Sequence, residues 1–95
     1  MLEKEIERRM VKEVKNRGGL CLKFVSPGTP GVPDRIVITP DGQTYYVELK
    51  TEVGRLSSIQ KWIRGEFLKR GADLRVLHGW DAVKSFIEEV MPNEV

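Results

Sequence analysis

Cysteine is nearly absent from this chain, and that excludes two classes at once. A lone Cys21 can close no internal disulfide and supplies no thiolate metal cluster. Histidine is as scarce: His78 is the sole one, at the end of an expected strand, and reads as a surface residue rather than a ligand. No apolar run approaches the roughly 20 residues of a membrane span. The start, MLEKEIERRM, lacks the apolar stretch of a secretory signal. The expected home is therefore reducing and cytoplasmic, with no membrane partner. Aromatics are few, and Trp62 and Trp80 read as packing residues rather than base-stacking platforms. A formal charge of +2 is too small to declare a nucleic-acid binder. With 95 residues, the chain is expected to form one domain, 1–95, near the small end of what buries its own core.

What is present is distributed unevenly. Arg8, Arg9, Lys12, Lys15 and Arg17 crowd one segment, and Lys61, Arg64, Lys69 and Arg70 another. Each residue alone reads as part of a solvated helix face, with i,i+4 pairs such as Glu5–Arg9 and Glu66–Arg70. Two such clusters together point to a polyanionic partner.

Periodicity orders the elements. Leu2, Ile6, Met10 and Val14 recur every four residues, predicting a helix over 2–17 that Gly18-Gly19 ends. Residues 20–26 have strand composition, and 27–33 (PGTPGVP) form a loop dense in glycine and proline. DRIVIT and QTYYVELKT read as strands joined by a PDG hairpin. Ser57 and Gln60 have the spacing of a capping box at the start of a helix whose apolar stripe is Ile59, Trp62, Ile63 and Phe67. Residues 73–78 form a fourth strand. Asp81 is expected to cap a last helix with Ala82, Val83, Phe86, Ile87 and Val90 on its core face. The order αβββαβα predicts an α/β protein with a mixed four-stranded sheet flanked by helices.

The chemistry concentrates in two short strings. Strand side chains alternate, so Glu48 and Lys50 share one face while Val47 and Leu49 share the other. A tight hairpin brings Asp34 toward Glu48, and two carboxylates that converge repel unless a cation joins them. Few protein oxygens, with the remaining positions left to water and phosphate, suit Mg²⁺ or Mn²⁺. The bland reading is a solvated Glu–Lys pair and a Pro-Asp turn. Glu7 faces the sheet side of the first helix and is either a third acid or a complement to the helix dipole.

In conjunction these strings resemble the PD-(D/E)XK nuclease superfamily: PD, thirteen residues, ELK, and a glutamate in a preceding helix. The wider string, with GVPDR, ELK and a helix opening on QKW, looks like the VRR-NUC family in its compact form from phages and bacteria. The resemblance runs over about residues 3–78 and implies a restriction-endonuclease-like fold with kinship to Holliday junction resolvases. It implies a Mg²⁺- or Mn²⁺-dependent DNA endonuclease, structure-selective on branched DNA. Because one domain carries one site and a four-way junction needs two symmetric nicks, a homodimer is expected. Its action would lie in a bacterial cytoplasm, the host's if phage-encoded. Asp34, Glu48, Glu7 and the Leu49 carbonyl would hold metal, Lys50 would be the catalytic lysine, and Gln60 would flank it. Lys23, Ser26, Arg8, Arg9, Lys12 and Lys61 would contact DNA. The alternative is a nucleic-acid-binding module on the same fold without turnover.

Overall fold

The computed structural model describes residues 1–93. Its order is α1 (Glu3–Asn16), β1 (Leu20–Lys23), β2 (Arg35–Ile38), β3 (Thr44–Lys50), α2 (Ser58–Lys69), β4 (Leu74–His78) and α3 (Gly79–Val90). The αβββαβα order is the one expected from the periodicity. The strands lie side by side in chain order, β1 to β3 antiparallel and β4 parallel to β3. The parallel pair requires a crossover, and α2 supplies it.

Two layers of helix sandwich the sheet unequally. Ile6, Met10 and Val14 of α1 and Val83, Phe86 and Ile87 of α3 pack with Val37, Val47, Leu49 and Leu77 in one continuous core. The other face carries Ile36, Ile38, Tyr46, Glu48, Lys50, Leu74 and Val76. Among the described residues the helix that covers it is α2, through Ile63 and an edge contact of Phe67 with Tyr46, with Pro33, Leu56 and the Phe24 ring filling in from the loops beside it. Because α2 spans only the β3–β4 half, its stripe is half used. Trp62, expected to pack, is 58% exposed. Trp80 does pack, half-buried against the core with the Arg9 guanidinium over its ring.

Local chemistry sets the element ends. The β2–β3 hairpin turns at Gly42, whose φ of +87° other residues avoid, while Thr39 accepts the Gln43 N–H through its hydroxyl. Ser57 and Gln60 form the reciprocal capping box at α2. Asp81 does not cap α3; that helix begins earlier, at Gly79 after His78, and Asp81 lies in its first turn. Among the described residues no helix is long and apolar enough to cross a membrane.

Candidate active site

Register decides which carboxylates meet. Arg35 pairs with Val47, so Asp34 falls opposite Glu48 on the same face of the sheet. The loop before it is shaped for that placement. Gly31 has φ +86°, and a Cβ there would meet Ile59 of α2 at 3.0 Å, so only glycine lets the loop pass so close to the helix start. Asp34 is then clamped twice. Its carbonyl accepts the Phe24 N–H at 3.0 Å, and its carboxylate accepts the Leu49 N–H at 2.8 Å.

Glu48 is only 4% exposed. Its Oε2 accepts from the Gln60 side-chain amide at 3.1 Å and lies 3.6 Å from Lys50 Nζ. Gln60 spends its Oε1 on the Ser57 N–H at 2.9 Å, so the residue that completes the helix cap also presents an amide to Glu48. Asp34, Glu48, Lys50 and Gln60 thus come together from three elements of the chain. Leu49 buries its side chain on the opposite face, leaving its backbone beside Asp34.

Glu7 is the exception. Neighbouring strand residues face opposite ways, so Arg35 looks toward α1 while Asp34 looks toward α2. Arg35 takes Glu7 into an ion pair, Nε to Oε2, at 2.7 Å. Among the described residues no three acidic, histidine or cysteine side chains converge as a metal-holding set. The structure therefore does not bring the expected third carboxylate to the other two.

The basic residues divide likewise. Arg8, Arg9 and Lys12 are exposed on α1, on the far layer from Lys50. Arg8 lines a surface cavity with Lys4, Glu7, Val11 and Arg35. Lys23 pairs with Arg35 and shares its face. Ser26 is half-buried, and its carbonyl accepts the Thr29 N–H in a turn. Lys61, one residue beyond Gln60, stands exposed on the layer of Lys50.

A buried carboxyl beside a second acid holds its proton more tightly. The Glu48 carboxyl is pushed up to about 7, first by burial and then by the negative Asp34, against the lowering influence of Lys50. Its ordinary value is 4.5, so between the two values the folded chain keeps a proton that the unfolded chain releases. That contribution to stability is full below the lower value and is lost as pH rises through the upper one. In EDTA, the melting temperature should fall between about pH 4.5 and about pH 7 and level off above, and Glu48→Gln should flatten this slope. Parallel curves for the two proteins would show that Glu48 is not the group responsible.

No protein-family profile matches the chain. A solved structure described as a VRR_NUC domain does: 31% identical, TM-score 0.84, covering 90% of this chain and 94% of that one. The chain belongs to the VRR-NUC family. A 48-residue segment is also 52% identical to "Putative nuclease p44" of Acyrthosiphon pisum secondary endosymbiont phage 1. That match spans 50% of this chain and 52% of the phage protein, about half of the relative's length. As a VRR-NUC protein the chain keeps the expected α/β sheet and helix order. The signal missed in the sequence is Arg35. It follows Asp34 directly, and strand alternation alone sends it to the α1 side, within reach of Glu7.

Proposed function

We propose that this VRR-NUC protein is a divalent-metal-dependent endonuclease that hydrolyses DNA phosphodiester bonds. The observation that carries the reading is the juxtaposition of Asp34 with a buried, proton-retaining Glu48 beside Lys50. Two hard oxygen donors whose repulsion a cation relieves fit Mg²⁺ or Mn²⁺. Asp34, Glu48 and the Leu49 carbonyl would hold the metal, which lowers the pKa of bound water and offsets charge on phosphate. Lys50 places an ammonium where charge develops on the phosphate oxygens, and Gln60 fixes the orientation of Glu48. Glu7 serves here as the anchor of Arg35. Lys23, Ser26, Arg8, Arg9, Lys12 and Lys61 are assigned to phosphate contacts along the DNA. The site of action is the cytoplasm, and the chain works as one domain.

Branched DNA is the proposed substrate, and a homodimer the working form. The β1–β2 half of the α2 face supports the dimer. Leu20 and Leu22, 56% and 45% exposed, stand beside Ile36 and Ile38 on that face, a charge-free strip that a second copy covers by two-fold symmetry. Two sites then cut a four-way junction symmetrically. Labelled four-way junction, flap, single-stranded and duplex DNA, each with Mg²⁺ or EDTA, form the test. Metal-dependent paired nicks in the junction are expected. Mixing in Glu48→Gln chains should give heterodimers that nick one strand without resolving it. A monomer that resolves junctions would overturn the dimer, and absence of cleavage of any DNA would overturn the nuclease.

A further inference from the structure

His78 occupies a position its sequence context does not announce. It pairs with Lys50 across the parallel β3–β4 ladder, so its side chain leaves the same sheet face one strand spacing, about 4.8 Å, from that of Lys50. The ring is exposed at the strand end, and its Nδ1 lies 3.1 Å from the Thr51 carbonyl. A carbonyl only accepts, so Nδ1 carries the hydrogen. That bond fixes the ring's orientation and tautomer. The free nitrogen is Nε2, and any second proton must sit there.

We propose that His78 is a further substrate-contacting residue, its Nε2 donating to a non-bridging phosphate oxygen of the DNA strand held at Lys50. A phosphodiester brings a full negative charge to the ring, and an imidazolium donates to such an oxygen through Nε2. Lys50 of β3 pairs with His78 across the ladder, and the Glu52 carboxylate lies against Gly79, the next residue. Together His78 and Lys50 form a two-residue donor edge that continues the site toward α3. The inference rests on the nuclease reading and adds a residue that the PD and ELK strings do not contain.

Two isosteres separate contact from scaffolding. Glutamine places an amide donor near Nε2, whereas asparagine places one near Nδ1 and keeps the bond to Thr51. His78→Ala should raise KM for junction DNA about tenfold with kcat changed by less than about threefold. It should also lower the salt dependence of DNA affinity, measured in Ca²⁺, by about one counterion. His78→Gln should recover most of the KM through its amide donor while the salt dependence stays at the alanine value, because an amide carries no charge, and His78→Asn should recover neither. Recovery by asparagine and not glutamine would mean that the ring only ties the strand end to Thr51, overturning the proposal. Wild-type kinetics in all three variants would overturn it equally, while leaving the Asp34- and Lys50-dependent cleavage intact. A wild-type protein that neither cuts nor binds DNA would remove the nuclease reading and this contact together.

Discussion

Lys50→Ala is expected to slow DNA cleavage by about a thousandfold or more, with an unchanged far-UV CD spectrum. The ammonium sits 3.6 Å from Glu48 Oε2 on the same pleat and completes no other ion pair among the described residues. Its loss should therefore be felt in the transition state rather than in the fold. One secondary effect is predictable. Lys50 lowers the Glu48 pKa, so its removal leaves that carboxyl protonated to still higher pH and weakens metal uptake near neutrality. Raising the pH to about 8.5 should restore metal binding by Glu48 but not cleavage. That split distinguishes a transition-state role from simple support of the carboxylate. Lys50→Arg should also fail, because a planar fork does not replace a compact point charge. Wild-type turnover in Lys50→Ala would sink the assignment.

Asp34→Asn carries the second large effect. Cleavage should disappear, and Mg²⁺ or Mn²⁺ should no longer raise the melting temperature, although both ions stabilise the wild type by binding only the folded chain. In EDTA the variant should be as stable as the wild type or more so. An asparagine oxygen still accepts the Leu49 N–H that Asp34 now holds at 2.8 Å, and the repulsion with Glu48 is gone. Asp34→Ala should behave differently, since it leaves that N–H without its acceptor and costs about 1–3 kcal/mol. The comparison is read by thermal melts with and without metal. If Asp34→Asn unfolds the chain, Asp34 is a structural clamp and the metal site lies elsewhere.

Relations within one element were legible from residue order because the backbone repeats regularly. A period of two put Glu48 and Lys50 on one face, and the Ser57–Gln60 spacing announced the helix cap that forms. Even the opposition of Asp34 and Glu48 follows from a short hairpin, whose tight turn leaves little freedom of register. Relations between distant elements were not legible. Whether Glu7 joins Asp34 depends on which side of the sheet α1 packs, and burial of Ile6, Met10 and Val14 against Val37, Val47 and Leu49 settles that in favour of Arg35. The amide of Gln60 reaches Glu48 only because α2 crosses the opposite face, and the same short crossover leaves Trp62 exposed. His78 meets Lys50 through a parallel pairing 28 residues apart, and no local period encodes such a register. Periodicity specifies which side chains share a face; only the packing of apolar faces against one another decides which of those faces meet.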